Sequence, residues 1–117
     1  MEDGWSLFVI ELRQGLSLLV TIVPPKIRKA KRIIITGDSG RGKTALAHKL
    51  SQKLGIKHYS SDDFFWKVKF TQKENKKKSI QKISKPYMEE SWIVEGTTRH
   101  LLKEGLGKAD IIIYLGY

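Results

Sequence analysis

Cysteine is absent from the 117 residues, which excludes disulfides and thiolate metal sites. The absence fits a reducing compartment, and a cytoplasmic location is expected. Long apolar runs are also lacking. The most apolar stretch, Trp5 to Val23, is interrupted by Glu11, Arg13 and Gln14 and is followed by Pro24-Pro25. A membrane span needs roughly 20 mostly apolar residues, and charges near its middle are costly, so no transmembrane segment is expected. Glu2 and Asp3 stand where a secretory signal carries positive charge, and no small-residue cleavage site follows. Acids are scarce too: 12 Asp and Glu face 22 Lys and Arg, a formal charge of +10. That balance draws polyanions such as nucleotides, nucleic acids or acidic membrane surfaces, or it serves solubility alone.

The length admits one small domain with a real core. Residues 26–32 form a basic linker without an acid, so residues 1–31 are expected to be an appendage outside a domain spanning 32–117. As an appendage they are expected to be dispensable for ligand binding. From Arg32 the character changes. Ile33-Ile34-Ile35 is a β-branched run suited to a strand buried on both faces of a parallel sheet. Thr44 to Leu54 places Leu46, Ala47, Leu50 and Leu54 on one helical face, and Gly55 is a natural stop. Ile56 to Tyr59 reads as a second strand. Residues 67–85 hold eight lysines and one glutamate, and read as a solvated loop or the exposed face of a weak helix. A helix is expected within Ser79 to Glu90, begun, bent or broken by Pro86. Trp92-Ile93-Val94 is a third strand, Thr97 to Lys108 a short helix, and Asp110 to Leu115 a fourth strand. There is no internal repeat.

Strands alternating with helices imply an α/β fold with a parallel sheet, in which ligands bind beyond the carboxyl ends of the strands. Gly37, Asp62, Asp63 and Glu95 all follow such ends and are expected to face one crevice.

The loop Gly37-Asp38-Ser39-Gly40-Arg41-Gly42-Lys43-Thr44 matches G-x-x-x-x-G-K-[ST] at every fixed position, between a strand and a helix as a phosphate-binding loop requires. A chance match is expected in roughly a few chains per thousand of this size. Glycines at 37, 40 and 42 let the backbone approach phosphates in conformations with positive φ. The loop amides form an anion nest at a helix start. Lys43 supplies a mobile positive charge and the Thr44 hydroxyl a ligand for Mg²⁺. The loop is therefore expected to hold ATP or GTP.

Mg²⁺ also calls for carboxylates. Asp63 and Glu95 are the better candidates. Asp62 is as well read as a helix N-cap. Asp110 precedes its strand, lies at the opposite sheet edge and is structural. His48, His58 and His100 share no metal-ligand spacing. Trp5, Trp66 and Trp92 are core or boundary aromatics, although Trp66 also suits a pocket wall.

Several pieces in order resemble adenylate-kinase-like P-loop NTPases, nearest the subgroup called topology modulation proteins. They are Arg32 to Leu54, the acid-aromatic run Tyr59 to Trp66, Trp92-Ile93-Val94-Glu95-Gly96, and Ala109 to Leu115. The resemblance implies a three-layer fold with a central parallel sheet and the loop's strand in its middle. It implies phosphoryl transfer from Mg·ATP to a small acceptor, with Lys43, Glu95 and Arg99 catalytic and Arg99 gripping acceptor phosphate. Thr44, Asp63 and Glu95 would serve the metal. Glu95 stands where Asp is usual, and the family's lid and last strand have no counterpart here. ATP is therefore expected to bind better than it turns over. The rival readings are a non-catalytic nucleotide-binding remnant and a basic module that touches DNA weakly, without sequence preference and with steep salt dependence.

Overall fold

A computed structural model describes residues 8–12, 25–37, 42–68 and 72–115. Five parallel strands form the main sheet in the order β1-β7-β2-β6-β3. They are β1 (Phe8–Leu12), β2 (Arg32–Gly37), β3 (His58–Ser60), β6 (Trp92–Glu95) and β7 (Ile111–Leu115). The helices are α1 (Pro25–Lys29), α2 (Lys43–Leu54), α3 (Asp62–Phe65), α4 (Lys76–Tyr87) and α5 (Arg99–Leu106). A two-stranded antiparallel ribbon, β4 (Trp66–Val68) with β5 (Gln72–Lys73), stands apart from the sheet. The sheet is parallel, as expected for the α/β class, and the strand preceding the glycine-rich loop, β2, is its middle strand, as the resemblance implies.

Alternation along the strands builds two cores. Successive side chains point to opposite sheet faces, so Ile33 and Ile35 join Ile93, Ile111, Ile113 and Leu115 beneath α1 and α2. Ile34 joins Trp92 and Val94 beneath α4 and α5. The result is three layers. On the second face Tyr87 and Trp92 meet edge to face at 4.8 Å. The Tyr87 hydroxyl donates to the Leu101 carbonyl at 2.8 Å, which ties α4 to α5. At the opposite sheet edge Asp110 is structural. One carboxylate oxygen accepts from the Lys31 and Arg32 amides, both at 3.0 Å, and joins the starts of β2 and β7.

Three expectations change. First, the folded unit does not begin at Arg32. Ile27 and Ala30 are buried in the core beneath α2, and β1 pairs in parallel along β7 from Phe8↔Ile111 to Leu12↔Leu115. The charge at Glu11 breaks an apolar run without breaking a strand, because a five-residue edge strand needs only its backbone to pair. Second, the described sheet has one strand more than the four expected: β1 lies beyond β7. Third, the lysine-rich segment, which the sequence leaves open between a solvated loop and the exposed face of a helix, takes the second form from Lys76. The Asn75 side chain caps α4 by accepting from the Lys77 and Lys78 amides at 2.9 and 3.3 Å, which satisfies donors that a helix start leaves free. Ser79, Ile83, Pro86 and Tyr87 are its buried face, and Lys76, Lys77, Lys78, Lys82 and Lys85 are exposed. Pro86 stands one residue before the end of α4, so the amide it lacks leaves the Lys82 carbonyl without its helical donor, but no further turn follows for the ring to bend.

The packing of α1 makes a direct test. Ile27→Ala should lower unfolding free energy by about 2–5 kcal/mol, the usual cost of emptying a fully buried aliphatic site. Urea denaturation of the two forms measures it. An unchanged midpoint would restore residues 25–31 to the status of an appendage.

Candidate functional site

Adjacent ends of β2, β6 and β3 create the site. In the register, Glu95 lies beside Ile35 on one flank and beside Ser60 on the other. Backbone bonds continue past the strand ends: the Gly96 amide donates to the Ile35 carbonyl at 3.0 Å, and the Ser61 amide to the Glu95 carbonyl at 2.8 Å. The chain turns away from β6 at Gly96, whose φ is +153°. A Cβ there would stand 1.7 Å from the Ser61 hydroxyl oxygen, so only glycine fits between the ends of β6 and β3. Gly37 is confined in the same way at the end of β2, with φ +137° and a Cβ position 2.0 Å from the Leu115 carbonyl oxygen.

Of the expected phosphate loop, Asp38, Ser39, Gly40 and Arg41 lie outside the described residues. Gly37 ends β2 and Gly42, in a left-handed conformation with φ 83°, caps α2. The Gly42 carbonyl accepts from the Leu46 amide at 2.9 Å. Lys43 opens α2 and is only 8% exposed. No acid occupies the first turn of α2 itself, so its amides and the helix dipole favour an acceptor or an anion brought there by another element.

Beside this helix start, the Thr44 hydroxyl donates to a Glu95 carboxylate oxygen at 2.9 Å. Glu95 is 3% exposed. A carboxylate at that depth is costly without partners, and a hydroxyl donor is a charge-assisted one. The fold therefore joins Thr44 and Glu95 at the start of the helix that buried Lys43 opens. Two oxygen-bearing side chains in contact, next to a buried lysine, form a donor set suited to a hard cation and to anions.

The remaining expected residues are distributed around this centre. Asp63 is exposed on α3, past the end of β3, and Arg99 is the exposed first residue of α5, past the end of β6. Asp62 is not the N-cap of α3. Ser61 holds that position, and the Asp62 amide instead donates to the Ser60 hydroxyl at 3.3 Å. Among the described residues no group of three or more His, Asp, Glu or Cys gathers to hold a metal. No described helix is long and apolar enough to cross a membrane.

Sequence reasoning missed Ser61 and Gly96 as a pair. Ser61 is fully buried and, among the described residues, its hydroxyl is without a hydrogen-bond partner. The signal available was the glycine directly after a buried strand ending in an acid. Titration is shifted elsewhere, on the face toward α4. Burial first, then the hydrogen bond and charge of Glu89, push the Tyr59 phenol up to about 12. Burial and then Lys76 push the His100 imidazole toward its neutral form.

No protein-family model and no curated protein matches the chain.

Gly96→Ala should destabilise the fold by at least about 1 kcal/mol, since its backbone conformation and its space both exclude a side chain. Thr44→Val should cost about 1–3 kcal/mol by leaving the Glu95 carboxylate short of a donor. Denaturant midpoints decide both. Wild-type stability in either variant would mean that the strand ends are less closely joined than described.

Proposed function

We propose that the chain binds the phosphates of ATP on the loop from Gly37 to Thr44, with Mg²⁺ beside it, and resembles a small kinase. The observation that carries this reading is the contact of Thr44 with buried Glu95 directly after Lys43. A glycine-rich sequence motif alone specifies a turn. A buried lysine, a hydroxyl and a carboxylate converging at a helix start are the parts that a triphosphate and its metal require.

The roles follow from chemistry and position. Lys43 and the first amides of α2 take the negative charge of the β- and γ-phosphates. Thr44 and Glu95 hold Mg²⁺, Glu95 directly or through a water. When bound, that ion would neutralise charge on the phosphates. Asp63 stands on the acceptor side and contributes a second carboxylate to the metal's surroundings. Arg99, at the start of α5, grips the acceptor, a small molecule carrying an anionic or hydroxyl group. Gly37 and Gly96 let the strand ends pack tightly against Leu115 and Ser61, which holds the ends of β2 and β6 in place. The reaction class is phosphoryl transfer, in which positioning and charge neutralisation supply most of the rate. A cytoplasmic setting, where Mg·ATP is abundant, suits the reading.

Titration calorimetry with Mg·ATP tests it. Wild-type chain should bind, and Lys43→Ala should lose at least tenfold in affinity while its circular dichroism stays unchanged. Glu95→Gln should weaken the dependence of binding on Mg²⁺. Equal ATP affinity in wild type and Lys43→Ala would overturn the assignment.

A further inference from the structure

Three histidines share no ligand spacing in the sequence, yet the fold brings two of them together. The imidazole centroids of His48 and His58 lie 5.6 Å apart, with ring planes at 79°. His48 is exposed on α2, and His58 opens β3 and is half-buried. Their meeting follows from strand alternation. Lys57 and Tyr59 flank His58 and point to the other face. There Tyr59 packs against the core beneath α4 and α5, and the Lys57 ammonium lies over the Tyr59 ring at 5.2 Å. His58 is left facing α2, and the nearest lysine in sequence is held on the opposite face.

We propose that His48 and His58 are a two-histidine site for a divalent transition cation of the imidazole-preferring class, Ni²⁺, Cu²⁺ or Zn²⁺. With a metal–nitrogen bond of about 2.0–2.1 Å, each ring centroid stands roughly 3.2 Å from a shared ion. Centroids 5.6 Å apart then subtend an angle of about 120° at the metal, close to tetrahedral geometry. Perpendicular ring planes are compatible with this, because each ring is free to rotate about its metal–nitrogen axis. The terminal torsion of histidine is broad, so turning a nitrogen inward needs little backbone movement. Among the described residues no third ligand completes the group, so water fills the other positions and the site is open. Bound metal would clamp α2, the helix bearing Lys43 and Thr44, to β3, which leads into Asp62 and Asp63.

Cu²⁺ is the probe, since it binds nitrogen sites most tightly of the divalent series and its electron paramagnetic resonance counts the nitrogens. Wild-type chain should take up one saturable Cu²⁺ with the signature of two equivalent imidazoles. His48→Ala and His58→Ala should each lose one nitrogen from that signature and at least tenfold in affinity. Loss of an outer-shell partner alone costs about 10–100-fold. His100→Ala should match wild type. His48 is exposed on a helix surface, so its variant keeps the fold, and His58→Gln provides a second form if His58→Ala does not. Absence of saturable binding, or wild-type affinity in His48→Ala, would overturn the proposal. Neither outcome bears on the nucleotide reading, which uses none of these residues.

Discussion

Glu95 is held from three directions, and the architecture around the candidate site depends on that arrangement. Its side chain accepts from Thr44 at 2.9 Å, its carbonyl accepts from the Ser61 amide at 2.8 Å, and the next amide, of Gly96, reaches Ile35 at 3.0 Å. Three strand ends and the first turn of α2 are thereby fixed relative to one carboxylate. A carboxyl group buried to this depth would be a liability in an ordinary core. Here it lies at the ends of parallel strands, where helix starts and backbone amides supply favourable potential.

The rest of the fold exists to hold those ends in register. Each central strand is apolar on both faces, because helices cover both. Ile33, Ile34 and Ile35 therefore divide between two cores without a polar interruption. Tyr87, Trp92 and Gly105 show how closely the second layer is fitted. A Cβ on Gly105 would lie 2.3 Å from the Tyr87 ring, so α5 approaches α4 more closely than any side chain there would permit. On the first face, Ile27 from α1 closes the core beneath α2. The N-terminal segment is therefore part of what keeps β2 and β7 covered.

Legibility in the sequence tracked the range of the determining interactions. β2, α2, β6 and β7 were visible because their patterns are local: isoleucine runs, a helical apolar stripe, a terminal glycine. The convergence of residues past the strand ends followed from the parallel topology, and Gly37 and Glu95 do lie on neighbouring strands. β1 was obscured because its charged residue suggested an interruption, and its pairing with β7 joins positions about a hundred residues apart. In α4 the lysines concealed a short buried face, and the one local signal, Asn75 as a cap, was overlooked. The His48–His58 contact had no local signal. Residues ten apart on a helix and a following strand meet only through the packing of α2 against β3. The Ser61–Gly96 junction likewise depends on two strand ends lying side by side.

The central claim is that the ligand sits where β2 and β6 end, and residue-resolved magnetic resonance tests it most directly. Mg·ATP titrated into the ¹⁵N-labelled chain should shift the amides of Gly42, Lys43, Thr44, Glu95 and Gly96 together and to saturation. Those signals remaining still, while shifts appear along the exposed lysines of α4, would contradict the account and identify the nucleotide as a mere counterion of a basic surface.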